Sequence, residues 1–141
     1  MRTLNTLLIV FASIFMVACA NQNRNILSDG SGNSQLQTRS IQTRSFDTGD
    51  KNLVVRNIIA TLQDLGFVID KADVDLGTVT ATRLSGYQIR MSVTARNKGS
   101  EEMIVRANGQ YNDQVILDPV LYQDFFSALQ KSLFLSANSV E

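Results

Sequence analysis

The chain has 141 residues, with 13 basic and 13 acidic side chains and neither histidine nor tryptophan. A neutral chain offers no electrostatic reason to bind nucleic acid. The absence of histidine removes the commonest general base and metal ligand near neutral pH.

Residues 1–6 carry one charge, Arg2, and Leu7 to Val17 is apolar apart from Ser13. Eleven apolar-run residues fall short of the roughly 20 that span a bilayer, and they suit the h-region of a signal peptide. Residues 1–18 are therefore expected to be an export signal. Their removal leaves 12 basic and 13 acidic residues. The run ends in Met16-Val17-Ala18-Cys19, which contains the only cysteine. A lone cysteine cannot close an intramolecular disulfide, so the domain must hold together by packing.

The end of the run resembles a bacterial lipobox, with Ala18 at −1 and Cys19 at +1, although Met16 stands where the pattern usually has Leu. The resemblance implies cleavage before Cys19 and diacylation of its sulfur. Two or three acyl chains hold a protein stably at a membrane, whereas one does not. Two other readings compete: an ordinary secretory signal cut at Ala-Cys-Ala, and an uncleaved anchor. Ala20 at +2, rather than Asp, is similar to the pattern that sorts lipoproteins to the outer membrane. The expected location is its periplasmic face.

Ala20 to Leu36 is dominated by Asn, Gln, Ser and Gly. Such a composition cannot bury enough surface to order itself. Residues 19–36 therefore read as the lipidated cysteine and a flexible tether, which as a coil would reach roughly 20–25 Å. Asp29-Gly30-Ser31-Gly32 lacks the Lys-Ser/Thr ending and the preceding strand of a phosphate loop.

The folded domain is expected over residues 37–137. Gln37-Thr38-Arg39-Ser40-Ile41 is repeated, nearly unchanged, as Gln42-Thr43-Arg44-Ser45-Phe46, and both copies read as strand. Thr48 or Asp50 then caps a helix over Lys51 to Leu65. Its apolar face is Val54, Val55, Ile58, Ile59, Leu62 and Leu65, with Gly66 at the left-handed cap. Phe67 to Asp70 is a short strand. Asp70, Asp73 and Asp75 read as a solvated turn rather than a calcium loop, since the glycine and terminal glutamate of that motif are missing. Gly77 leads into a Thr-rich strand, Thr78–Leu84.

The clearest strands alternate Tyr87, Ile89, Met91, Val93 and Ala95, then Met103, Val105, Ala107 and Tyr111, with polar residues. Pairing Asn97 with Glu101 keeps both apolar sets on one face. It places Arg96 opposite Glu102 and Ser92 opposite Arg106. The turn before this hairpin must be longer than Ser85-Gly86, or carry a bulge, to keep Val79 and Ala81 on the same face. Asp118-Pro119 opens the last helix, with Tyr122, Phe125, Phe126, Leu129, Leu133 and Phe134 as its stripe and an end near Leu135.

The expected fold is α+β: a two-layer sandwich in the order β-α-β-β-β-β-α, an antiparallel sheet with two helices on one face. Gln42-Thr43-Arg44, Leu62-Gln63-Asp64-Leu65-Gly66-Phe67, Asp73, Leu76-Gly77 and Thr80-Ala81 resemble a group of small Gram-negative outer-membrane lipoproteins of uncharacterised function. The element order is similar to the helix-grip domains of BamC-type lipoproteins, accessory subunits of a β-barrel assembly machinery.

The function expected from these features is non-catalytic. A lipid-anchored periplasmic domain would serve an envelope protein complex as accessory or scaffold subunit. Its docking face would be Arg90, Ser92, Arg106 and Asn108, with Arg39 or Arg44 on an added strand. The alternative is a small binding module holding an apolar ligand between sheet and helix, lined by Tyr87, Met91, Met103, Tyr111, Phe125 and Phe126. Enzymatic chemistry is disfavoured, because no spacing singles out a nucleophile or carboxylate pair. No cofactor or metal is expected.

Overall fold

The computed structural model describes residues 35–138. The expected export signal, Cys19 and the expected tether up to residue 34 lie outside the described residues. The described elements are α1 (Gln35–Ile41), β1 (Thr43–Phe46), α2 (Lys51–Asp64), β2 (Val68–Asp73) and β3 (Thr78–Leu84). They continue with β4 (Gln88–Lys98), β5 (Glu102–Tyr111), β6 (Gln114–Val115) and α3 (Pro119–Ala137). Six antiparallel strands make one sheet in the order β1-β5-β4-β3-β2, with β6 added to β5. Strands β2 to β5 form a meander. Helix α2 connects β1, at one edge, to β2, at the other.

One continuous core joins Val54, Val55, Ile58 and Leu62 of α2, Phe125 and Leu129 of α3, and the inward residues of β3, β4 and β5. Both long helices therefore lie on the same face of the sheet, giving the α+β sandwich that binary patterning calls for. The two helices are joined by a polar lock. Asn57 donates to the Leu53 carbonyl (2.8 Å) and accepts from the Ser132 and Ser136 hydroxyls (2.6 and 2.9 Å). This satisfies a buried amide that would otherwise be costly.

The ends of α2 follow local chemistry. Asp50 Oδ1 accepts from the Leu53 amide (2.9 Å), and the Thr48 hydroxyl accepts from the Asp50 amide (3.2 Å). Gly66 adopts φ +80°, as the cap requires. Gly77 combines φ +66° with close approach to β4: a Cβ there would stand 2.3 Å from the Ala95 carbonyl oxygen.

Five expectations need correction. Strand β2 runs Val68–Asp73 rather than Phe67 to Asp70, so Asp70 and Asp73 stand on the strand and only Asp75 lies in the turn, because pairing with β3 continues to Asp73 opposite Thr78. The two near-identical pentads diverge: Gln37 to Ile41 is helical, and only Thr43–Phe46 is strand. Helix α1 begins at Gln35, so the end of the expected tether, Gln35 and Leu36, belongs to the domain. The hairpin pairs Asn97 with Met103, which places Arg96 opposite Ile104, Ser92 opposite Asn108 and Lys98 opposite Glu102. The shift is two residues, so every side chain keeps its face. Gly99 at φ +74° starts the turn, and a Lys98–Glu102 ion pair at 3.1 Å closes the last rung. Phe134 is 67% exposed and lies outside the α3 stripe. The stripe ends at Leu133, and the next residue is rotated about 100° round the helix away from it.

The turn between β3 and β4 is three residues, Ser85 to Tyr87, since Leu84 pairs with Gln88. This keeps Val79 and Ala81 in the core, as the alternation demands. Helix α3 starts as expected, with Asp118 Oδ1 accepting from the Val120 amide (3.0 Å).

Candidate functional site: an open sheet face and a groove at its end

The strand register places the expected docking residues together. Ser92 lies directly opposite Asn108, and Arg90 and Arg106 flank that pair along their strands, roughly 14 Å apart by strand spacing and rise. The rows extend across β3 and β1: Thr82–Arg90–Gln110, Thr80–Ser92–Asn108, and Thr78–Thr94–Arg106–Thr43. Arg90 and Arg106 are exposed, and Ser92 and Asn108 are half-buried. Arg96 stands on the same face. The only ion pair among the described residues is Lys98–Glu102, so none of the three arginines is paired in that way. A shallow depression of about 600 Å³ lies beside Arg90, walled by Asp70, Thr80, Thr82, Leu84 and Gln88.

The two further arginines do not join this face. Arg39 sits on α1 rather than on a strand. Arg44 pairs across from Val105, whose side chain is in the core, so it points to the helix side of the sheet. Its guanidinium stands over the Phe126 ring at 5.5 Å.

The residues of the alternative reading separate into three groups. Met91, Met103 and Phe125 are fully buried in the packed core. Phe126 packs edge-on against Phe125 (5.2 Å between centroids) and borders a polar groove with Arg44, Gln123, Ser127 and Gln130. Tyr87 and Tyr111 form an edge-to-face pair, 5.4 Å between centroids and 80° between planes.

The two tyrosines occupy the end of the sheet's apolar face, beside the first turns of α3, which leave them partly uncovered. They are 53% and 41% exposed. With Ile89, Ile116, Val120 and Leu121 they line an open groove of about 480 Å³. Arg83, Asp118 and Asp124 complete its lining. Arg83 donates to the Leu65 carbonyl (3.3 Å) and stands over the Phe67 ring at 4.9 Å. The adjoining β5–β6 turn holds Asn112 and Asp113 at positive φ, 44° and 69°. These residue types tolerate that conformation best after glycine.

A buried tyrosine fixes the base of the groove. The Tyr122 hydroxyl donates to the Ile116 carbonyl (2.6 Å) and accepts from the Gly109 amide (3.1 Å) and the Gln42 side chain (3.2 Å). It thereby ties α3 to β5, to the segment leading into α3, and to the start of β1. Gly109 lies close beneath: a Cβ there would meet Leu121 Cδ2 at 2.8 Å.

The carboxylates expected in an acidic turn engage the protein's own groups, two of them from strand β2. Asp73 Oδ1 accepts from the Leu76 amide (2.9 Å), and Asp70 Oδ2 accepts from the Thr82 hydroxyl (2.7 Å). Among the described residues no three metal-ligating side chains stand together, and no helix is long and apolar enough to cross a membrane. The Glu102 carboxylate is held below the usual carboxylate range by hydrogen bonds from Ser45 and Lys98, against the opposing effect of desolvation.

Among known proteins, no family model and no curated protein matches the chain. Sequence patterning missed the contributions of Arg83, Ile116, Val120, Leu121 and Asp124 to the groove. One signal was present: Val120 and Asp124 are four residues apart, off the buried stripe of α3, and so share a solvent-facing side.

Proposed function

We propose that this protein is a non-catalytic, lipid-anchored domain that serves a cell-envelope protein complex as accessory or scaffold subunit. In this reading Cys19 carries the acyl chains at the periplasmic face of the outer membrane, and the domain docks through the open face of its sheet. The observation that carries the reading is the cluster Arg90, Ser92, Asn108 and Arg106 on a face that neither long helix covers. Arginines without ion-pair partners among the described residues, set among hydroxyl and amide side chains, suit a partner surface rich in carboxylates. The resemblance of the signal to a lipobox and of the element order to helix-grip lipoprotein domains supports the same reading.

The test is charge reversal at Arg90 and Arg106, followed by pull-down from crosslinked envelopes. The expected result is loss of the wild-type neighbours, with the domain's melting temperature within a few degrees of wild type. Unchanged neighbours after the double reversal would remove the sheet face from the proposal.

The alternative, a module for an apolar ligand, draws support from the Tyr87–Tyr111 groove rather than from space between sheet and helix. Met91, Met103 and Phe125, which would have lined such a space, are themselves fully packed.

A further inference from the structure

We propose that the groove at the end of the sheet is a peptide-docking site that takes an apolar side chain followed by a lysine or arginine. The inference rests on the reading of the domain as a docking module and names the partner chemistry of a second surface.

Three observations select this occupant. Tyr87, Tyr111 and Val120 are each at least 41% exposed, so the groove is an open trough. Sites for small apolar ligands bury most of the ligand, whereas a trough suits one or two side chains of a peptide. The exposed tyrosines offer broad, rigid, amphipathic contact area of the kind that dominates protein interfaces. The charge is also asymmetric. Arg83 is engaged with the Leu65 carbonyl and the Phe67 ring, while Asp118 and Asp124 line the opening without an ion-pair partner among the described residues. The two carboxylates outnumber the single guanidinium in the lining, so a cation on the incoming peptide meets Asp124 and the outer oxygen of the capping Asp118 beside the tyrosine pair.

The test is a peptide array probed with the full chain. The probes are seven-residue peptides in a Gly/Ser background with central Phe-Arg, Leu-Lys, Phe-Glu or Ser-Arg. Phe-Arg and Leu-Lys retain the protein at least about tenfold better than Ser-Arg, because the apolar anchor is lost in the latter. They retain it about threefold better than Phe-Glu, the effect of a partly exposed charge pair. Asp124→Lys inverts the preference between Phe-Arg and Phe-Glu. The double variant Tyr87→Ser/Tyr111→Ser, and separately Val120→Asp, lower Phe-Arg retention to the Ser-Arg level. All these positions are exposed, and a retained cooperative melting transition checks that the fold is kept.

Equal retention of Phe-Arg and Phe-Glu would overturn the proposal, as would retention governed by arginine alone. Self-association abolished by the double tyrosine variant would assign the groove to a second copy and also overturn it. With no tryptophan and three tyrosines in the chain, tyrosine emission reports on the groove. A response to palmitate with no peptide retained would assign the site to a small apolar ligand instead. Arg90→Glu/Arg106→Glu run in parallel separates the two readings. It leaves array retention unchanged here, whereas failure of the envelope reading shows as crosslinked neighbours that the reversal does not alter.

Discussion

The helix side of the sheet contains two apolar regions with the same alternation and different surroundings. Met91 and Met103 lie under α2 and α3 and are fully buried, while Tyr87 and Tyr111, two or more rungs further along, stand open to solvent. Alternation therefore reports which face a residue is on, and the reach of the helix layer decides whether that face is core or surface. Covered positions are held by close packing, so their removal opens cavities. The uncovered pair adds little to folding and is available for contact.

That contrast orders the expected effects. Phe125→Ala, in the covered region, lowers unfolding free energy by about 3–5 kcal/mol in a denaturant titration. Gly77→Ala comes next, at about 2–3 kcal/mol, because it forces a left-handed φ on alanine and a clash with the Ala95 carbonyl. Tyr122→Phe costs about 1–3 kcal/mol, since the Gly109 amide and the Ile116 carbonyl lose their shared buried partner. Tyr87→Ser, in the uncovered region, costs about 1 kcal/mol or less, the loss of its edge-to-face contact with Tyr111. A cost for Tyr87→Ser comparable to that of Phe125→Ala would erase the distinction between the two regions.

The smallest effect concerns Glu102, away from both regions. Its depressed pKa means that its contribution is present above the unfolded pKa and is lost as pH falls through the folded value. An NMR pH titration of the Glu102 carboxyl should give a midpoint below the ordinary glutamate range. Ser45→Ala should move it back up, because the Ser45 hydroxyl is the leading cause of the depression.

Much of the architecture was legible in the chain. Helix α2, strand β3 and the start of α3 follow from periodicity joined to caps that local chemistry specifies, namely Asp50, Gly66 and Asp118-Pro119. That the turn after Leu84 needed more than two residues, or a bulge, could be deduced because a two-residue turn would have put Val79 and Ala81 on the wrong face; the structure takes the longer turn. The two pentads show where such reasoning stops. Gln37 to Ile41 and Gln42 to Phe46 share four residues, yet one is helix and the other strand. The difference lies in their partners: Thr43–Phe46 finds the edge of β5, and Gln42 is buried against the Tyr122 hydroxyl. Neither partner is local in sequence. The hairpin slip of two residues has a similar cause, since both registers preserve the faces and only the turn geometry at Gly99 separates them.

The candidate sites divide in the same way. The cluster of Arg90, Ser92, Arg106 and Asn108 on one face followed from strand parity, and the observed register brings Ser92 and Asn108 into direct opposition. The groove did not follow, because it forms where β3, β4, the β5–β6 turn and the first turns of α3 meet. Ile116, Val120, Leu121 and Asp124 come together there only through the fold.

The most direct test of an anchored docking domain is in-cell crosslinking and mass spectrometry of the full chain beside a Cys19→Ala control. The expected result is a defined set of envelope-protein neighbours for the wild type, depleted in the control, with acyl chains found on Cys19 only in the wild type. Identical neighbours in both forms, or an unmodified Cys19 in the wild type, would contradict it.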